Sequence, residues 1–141
     1  MFIYYNKNVY CPWLGRNIDK IVALVAKYEK KVKGEMEINV VSATEIKKLN
    51  RSCRSINKPT DVLSFAWQED KKIKTENLGQ IYLCYERIVA QAKEHGVPAR
   101  EEFVRILVHG VLHLVGYDHG EQSEADKMFK LQEKIVSKYV Y

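Results

Sequence analysis

The sequence predicts an α+β fold in which a sheet of about four strands packs with about five helices. Stretches that alternate apolar and polar residues, typical of half-buried strands, are separated by longer stretches with a helical period of three to four residues. One helical stretch, at residues 98–115, is apolar on nearly all sides and is expected at the centre of the molecule. No repeat or linker interrupts the chain, so residues 1–141 are expected to form one domain.

The predicted strands and helices follow one another along the whole chain. Strands are expected at residues 2–5, 36–41, 62–67 and 79–84. Helices are expected at 18–33, from the capping box at 42–45, from the fourth strand to about His95, at 98–115 and at 121–138. The first helix is expected to be capped by Asn17 and to end at Gly34. Residues 68–77 are polar and rich in lysine, which predicts a surface loop.

Composition bounds the class of protein. Of the 141 residues, 46% are hydrophobic and 29% charged, as in ordinary globular proteins. No apolar run approaches the roughly 20 residues that span a bilayer, and the first residues lack the features of a secretion signal. The three cysteines are far apart, which predicts reduced thiols in a cytoplasmic protein. The formal charge of +5 suits an anionic partner without identifying one.

Three of the four histidines lie within eleven residues, at positions 109, 113 and 119. His109 and His113 would lie one turn apart on the same face of a helix. Gly116 can end that helix in a left-handed conformation and turn the chain so that His119 approaches the other two rings. Three neutral imidazoles with a vacant fourth position are typical of a catalytic zinc site, so one Zn²⁺ per chain is expected. Nickel or copper could occupy the same ligands.

The chemistry of such a site depends on the neighbouring residues. The histidine spacing matches the HExxHxxGxxH motif of metzincin proteases, but Gly110 stands where those enzymes have their general base. Peptide hydrolysis by that mechanism is therefore disfavoured. A zinc ion that keeps its charge can lower the pKa of a bound water or polarise a phosphoryl oxygen. A structural zinc with a fourth ligand from elsewhere, such as a cysteine, is the alternative. His95 is expected to be a structural or surface residue at the end of a helix.

The helix that follows the capping box has a basic face. Its members are Lys47, Arg51, Arg54 and Lys58. The face could follow an RNA backbone, or it could simply be solvated. The guanidinium of Arg54 could bind a phosphate through two hydrogen bonds. Thr60 and Asp61 could equally form a turn that caps the start of a strand.

Three blocks of the sequence resemble the YbeY family of metal-dependent endoribonucleases. The first block, residues 109–119, resembles the family's HGxLHLxGYDH signature. The second is Leu49-Asn50 and Arg54 followed by Lys58-Pro59-Thr60-Asp61-Val62-Leu63-Ser64-Phe65, and the third is Leu78-Gly79-Gln80-Ile81. Gln80 departs from the family, which usually has an acidic residue there. If that carboxylate orients a ligand, a water or RNA, its role is weakened here or taken by another group such as Asp61.

The resemblance implies a zinc-dependent endoribonuclease that cuts single-stranded RNA and that acts in 3′-end maturation of small-subunit rRNA and in ribosome quality control. The small ribosomal subunit would be a partner, and no membrane is expected. The implied metal ligands and catalytic residues are His109, His113 and His119, and Arg54 is a further catalytic residue. The candidates for substrate binding are Lys47, Arg51, Lys58 and Asp61.

Two other function classes stay open at this point. One is a metallohydrolase that acts on peptides or small esters, and the other is a non-catalytic RNA or ribosome assembly factor in which zinc only holds the fold. The sequence also leaves open whether a water or the RNA 2′-hydroxyl attacks, and which group is the general base.

Overall fold

The computed structural model describes residues 2–7, 9–13, 15–66, 77–118 and 120–140. The elements in chain order are β1 Phe2–Lys7, α1 Arg16–Tyr28, β2 Glu35–Val41, α2 Ala43–Arg54, β3 Val62–Ala66, β4 Asn77–Cys84, α3 Tyr85–His95, α4 Ala99–Leu114 and α5 Gln122–Val140. The predicted α+β class is confirmed. Within the described ranges, no helix is both long and apolar enough to cross a membrane.

The strands form one sheet in the order β1-β2-β4-β3. The β1–β2 and β2–β4 pairs are parallel, whereas β3 runs antiparallel to β4 at one edge of the sheet. The pairing requires a close backbone approach at Gly79, where a Cβ atom would lie 2.1 Å from the carbonyl oxygen of Phe65. Gly79 also has a φ of +140°, so glycine fits this position on both grounds. The edge position of β3 leaves it beside the cavity described below.

Helix α4 lies at the centre of the molecule, as its apolar sequence predicts. Eleven of its sixteen residues are buried, and the helix packs against β3, β4 and the other helices α1, α3 and α5. Gly110 permits its close approach to the sheet, because a Cβ atom there would lie 3.2 Å from Val62 and 3.3 Å from both Ile81 and Ser64. The hydroxyl of Ser64 donates to the Gly110 carbonyl at 3.1 Å. The central position of α4 fixes the two histidines of its last turns.

The predicted bounds of α1 are wrong. The helix begins at Arg16 after Gly15, rather than after an Asn17 cap, and it ends at Tyr28 rather than at residue 33. Glu29 is extended, its carboxylate accepts the Lys31 N–H at 3.2 Å, and its carbonyl accepts the Val32 N–H. This turn places Val32 in the core with 2% exposure. The helical period therefore predicted correctly that Val32 is buried, but Val32 lies in the turn after α1 and not in the helix.

The basic face predicted for α2 is also shorter than expected. The helix ends at Arg54 because Ser55 adopts a left-handed conformation with φ of 59°, so Lys58 lies in the following loop and not on the helix. The amide of Asn50 donates to the Lys58 carbonyl at 2.9 Å and ties that loop to the helix. Cys53 and Cys84 are free thiols, as predicted. Strand β4 begins at Asn77, two residues earlier than predicted, so the predicted loop at 68–77 is wrong at its last residue. Trp67 and residues 68–76 of that loop lie outside the described residues.

Candidate functional site

A cavity of about 1310 Å³ lies along β3, beside the C-terminal half of α4. Its described lining comes from the segment before β2 (Lys31, Lys33 and Gly34), from Arg54, from residues 60–66, from Leu78, from His109 and from residues 113–118. The cavity therefore contains residues from all three sequence blocks. It brings together His109, His113, Arg54 and Asp61, four of the predicted site residues.

The rings of His109 and His113 contact each other in a T-shaped arrangement on one face of α4, as their spacing of four residues predicts. Their Nε2 atoms are 3.1 Å apart and both side chains are half-buried. Two imidazole nitrogens bound to one tetrahedral zinc would lie about 3.3 Å apart, so this spacing fits two ligands of a single ion. Gly116 has the predicted positive φ, at 100°. His119 lies outside the described residues, and within the described ranges no group of three or more His, Cys, Asp or Glu side chains is arranged to hold a metal.

The orientation of His109 is fixed by α5. Its Nδ1 lies 2.8 Å from Oε1 of Gln132, which is buried. Because an amide oxygen only accepts hydrogen bonds, Nδ1 carries the proton and the lone pair of Nε2 points towards His113. In the absence of a metal, Nε2–H of His113 then donates to Nε2 of His109. The sequence predicts no role for Gln132, although Gln132-Glu133 belongs to the part of the final helix that also resembles the YbeY family.

The cations of the cavity come from two parts of the fold. Arg54 is exposed at the end of α2, where a guanidinium can reach a ligand in the cavity. Lys31 and Lys33 are exposed in the turn between α1 and β2, and no pattern in the sequence predicts them as site residues. Two carboxylates, those of Asp61 and Asp118, share the described lining. This surface suits an anionic ligand that extends beyond the two histidines.

The remaining predicted site residues are arranged differently. Lys47, Arg51 and Lys58 are exposed, but none of them belongs to the described lining of the cavity. The carboxylate of Asp61 accepts hydrogen bonds from Thr60 at 3.2 Å and from Gln91 at 3.1 Å. These contacts hold the Asp61 carboxylate just before β3, and Asp61 also lines the cavity.

Gln80 lies away from the described lining of the cavity. Its amide nitrogen donates to the carboxylate of Glu37 at 3.0 Å, and its amide oxygen accepts from the hydroxyl of Tyr82 at 3.4 Å. A carboxylate at this position would face Glu37 with like charge, whereas the neutral amide of Gln80 forms a hydrogen bond with it. The neutral side chain of Gln80 is therefore compatible with the carboxylate of Glu37 beside it on β2.

A hydrogen bond between Tyr117 and Glu29 joins two parts of the cavity wall. The hydroxyl of Tyr117 donates to Oε2 of Glu29 at 2.5 Å, which ties the turn after α4 to the segment that carries Lys31 and Lys33. This bond raises the pKa of Tyr117 to about 12 and holds the pKa of Glu29 below its usual value. In the folded protein both shifts therefore favour a protonated Tyr117 hydroxyl and an ionised Glu29 carboxylate, the states that form the hydrogen bond.

Replacement of Tyr117 by phenylalanine is expected to lower the free energy of unfolding by roughly 1 kcal/mol near neutral pH. Because the pKa of Glu29 is lowered in the folded protein, its contribution to the free energy of unfolding is present above the unfolded pKa of about 4.5. That contribution is lost as the pH falls through the folded pKa. Because the folded pKa of Tyr117 is raised, its share is lost between about pH 10 and 12. Urea unfolding of both proteins from pH 3 to 11 measures the difference, with Tyr10→Phe as an exposed control. A difference that stays constant at both ends of this range would contradict the assignment.

Comparison with known proteins identifies the family. The family model described as Endoribonuclease YbeY matches residues 6–140. The chain belongs to this family. The YbeY family resemblance drawn from the three sequence blocks is thereby confirmed.

Individual YbeY proteins match most of the chain. The Endoribonuclease YbeY of Malacoplasma penetrans is 36% identical over 129 residues, which cover 88% of this chain and 86% of the relative. That of a Sulfurihydrogenibium species is 38% identical over 135 residues, covering 94% and 89%. The solution structure of a Thermotoga maritima protein matches with a TM-score of 0.70 at 30% identity, covering 97% of this chain and 88% of the other.

Proposed function

We propose that this protein is a zinc-dependent endoribonuclease that cuts single-stranded RNA in the cytoplasm, in 3′-end maturation of small-subunit rRNA and in ribosome quality control. The observation that carries the proposal is the facing pair of His109 and His113 in one cavity with Arg54. Relatives that match most of the chain are named Endoribonuclease YbeY, which supports RNA as the substrate class. The small ribosomal subunit is the proposed partner.

The proposed ligands of one zinc ion per chain are His109, His113 and His119. The donor set fits, because neutral imidazoles leave the double charge of the metal uncancelled. When bound, the metal would supply Lewis acidity towards a phosphoryl oxygen or a water. Nickel or copper is an alternative occupant of the same nitrogens.

The chain's own residues bind and orient the phosphodiester. The exposed guanidinium of Arg54 can form two parallel hydrogen bonds with non-bridging phosphate oxygens and offset the charge that develops during cleavage. Gly110 offers no carboxylate, and its Cα faces Val62, Ser64 and Ile81 of the sheet. A glutamate at this position would be crowded by side chains of β3 and β4, so the site lacks the general base of metzincin proteases, which disfavours peptide hydrolysis by that mechanism.

A panel of substrates at equal metal occupancy tests the proposal. Single-stranded RNA, the matching duplex, single-stranded DNA, a peptide and a small ester would each be incubated with protein of measured zinc content. We expect cleavage of the single-stranded RNA at least tenfold faster than of the duplex, and none of the peptide or ester. Preferred hydrolysis of the peptide or ester would indicate a different metallohydrolase. RNA binding without any cleavage would indicate an assembly factor.

Lys31 and Lys33 are proposed to bind the RNA backbone at a second point in the cavity. The double variant Lys31→Ala/Lys33→Ala is expected to weaken binding of single-stranded RNA and to reduce the slope of log affinity against log salt by about 1.4, which corresponds to two lost phosphate contacts. Fluorescence anisotropy at several salt concentrations measures this slope. The control Lys127→Ala/Lys130→Ala removes two exposed lysines from α5, with the same change in net charge. Equal slopes for the two variants would contradict the contact.

The basic residues Lys47, Arg51 and Lys58 remain proposed RNA contacts beyond the cavity. They are exposed on α2 and in the loop that follows it. They can bind RNA that continues past Arg54, and the same salt titration tests each of them.

A further inference from the structure

We propose that Gln132 is a positioning residue that holds His109 in the tautomer able to bind the metal. This inference rests on the proposed zinc site and deepens it. The amide oxygen of Gln132 lies 2.8 Å from Nδ1 of His109, and the Gln132 side chain is 7% exposed. The contact joins α5 to α4 at the ring that faces His113.

The choice of tautomer decides whether His109 can bind a metal through Nε2. A neutral imidazole carries its proton on one of two nitrogens, and the nitrogen without the proton supplies the lone pair. An acceptor at Nδ1 favours the Nδ1–H form of His109, so the lone pair of its Nε2 is available to bind a metal. This Nε2 lies 3.1 Å from Nε2 of His113. Hydrogen bonds of this kind orient metal-binding histidines and raise their basicity.

The amide of Gln132 is itself held in one orientation. Its nitrogen donates to Oε2 of Glu133 at 3.2 Å, and the guanidinium of Arg105 donates to both oxygens of that carboxylate, at 2.9 and 3.0 Å. A flipped amide would turn its oxygen towards the Glu133 carboxylate and its N–H groups towards Nδ1. The oxygen therefore stays on His109.

Glu133 is kept ionised for this role. Burial raises the pKa of Glu133, but hydrogen bonds from Arg105 and Gln132 together lower it below the usual value. Arg105 also donates to Glu101 at 3.3 Å. Residues spaced by four positions thus form one face of α4. The face begins with a salt bridge and ends with the two imidazole rings, and its members are Glu101, Arg105, His109 and His113.

A purely structural role for Gln132 predicts a different outcome. Loss of a buried hydrogen bond would lower the free energy of unfolding but would leave the tautomer of His109 and the zinc affinity of folded protein unchanged. The positioning role instead predicts a change in both. The two roles are therefore separable in protein that remains folded.

The test compares wild type with Gln132→Met, which keeps the length of the side chain but replaces the amide oxygen by a thioether sulfur, a much weaker acceptor. Zinc affinity would be measured by competition with a chelator, and the tautomer of His109 by ¹⁵N NMR of metal-free protein. We expect zinc affinity to fall roughly 10–100-fold and His109 to lose its preference for the Nδ1–H form. Gln132→Glu retains an acceptor for Nδ1 of His109 but places its second oxygen against the Glu133 carboxylate, so we expect it to restore the Nδ1–H form and only part of the zinc affinity. Gln122→Met, at an exposed glutamine of the same helix, is the control.

The outcomes distinguish failure of the role proposed for Gln132 from failure of the proposed zinc site. Wild-type zinc affinity and an unchanged His109 tautomer in Gln132→Met would overturn the role of Gln132 alone. Should that variant not fold, Gln132→Asn withdraws the amide by one methylene while staying polar, and it is judged by the same two readouts. Wild-type protein that binds no zinc would instead overturn the proposed metal site.

Discussion

Replacement of His113 by alanine is expected to remove zinc binding and RNA cleavage together. His113 supplies one of the two facing Nε2 atoms, so its loss leaves His109 without its neighbour in the cavity. Loss of several kcal/mol of charge stabilisation from the metal corresponds to a fall in cleavage rate of about 10³-fold or more. His113 is only half-buried at the cavity wall, so we expect the variant to stay folded. Zinc per chain, circular dichroism and the rate of cleavage of single-stranded RNA would be measured on the same preparation.

His95 provides the matched control for His113. Its side chain is 57% exposed at the end of α3, and its Nδ1 contacts the buried carboxylate of Glu102 at 2.8 Å. His95→Ala is expected to keep wild-type zinc content and cleavage. Undiminished zinc-dependent cleavage by His113→Ala would show that the pair on α4 does not hold the catalytic metal.

Replacement of Arg54 by alanine is expected to lower kcat by about 10²–10³-fold without changing zinc content. This is the usual effect of removing one donor that stabilises developing negative charge. Arg54→Lys keeps the charge but not the paired geometry of a guanidinium, so it is expected to recover only part of the rate. Single-turnover kinetics on single-stranded RNA separates this effect on the chemical step from an effect on binding.

Arg51 is the matched control for Arg54. It is also exposed on the last turn of α2, but it is absent from the described lining of the cavity. Arg51→Ala is expected to weaken RNA binding slightly at low salt and to leave kcat unchanged. Equal losses of kcat in both variants would indicate that Arg54 acts only through general charge.

Local patterns in the sequence were sufficient to predict the centre of the fold and the histidine pair. The apolar residues of α4 predicted its burial, and a spacing of four residues placed His109 beside His113. The length of α1 was predicted wrongly, because the periodic position of Val32 shows that it is buried but not which backbone conformation buries it. Lys58 was assigned to α2 for a related reason, since the left-handed Ser55 carries no strong signal in the sequence.

Contacts that depend on the strand order were beyond prediction. Lys31 and Lys33 line the cavity because β2 lies next to β4 and β4 next to β3, an order that no local pattern determines. The contact between Gln132 and His109 likewise depends on how α5 packs on α4. Residues 101, 105, 109 and 113 did carry a signal, since a spacing of four places charged residues and histidines on one helical face.

Titration of metal-free protein with zinc tests the proposed zinc-dependent endoribonuclease activity most directly. The protein would be stripped with a chelator, checked for retained fold, and assayed for cleavage of single-stranded RNA after each addition of zinc. We expect no cleavage without metal and a rate that rises linearly until one zinc is bound per chain. Full-rate cleavage by the metal-free protein, or a zinc-loaded protein that does not cut single-stranded RNA, would contradict the proposed function.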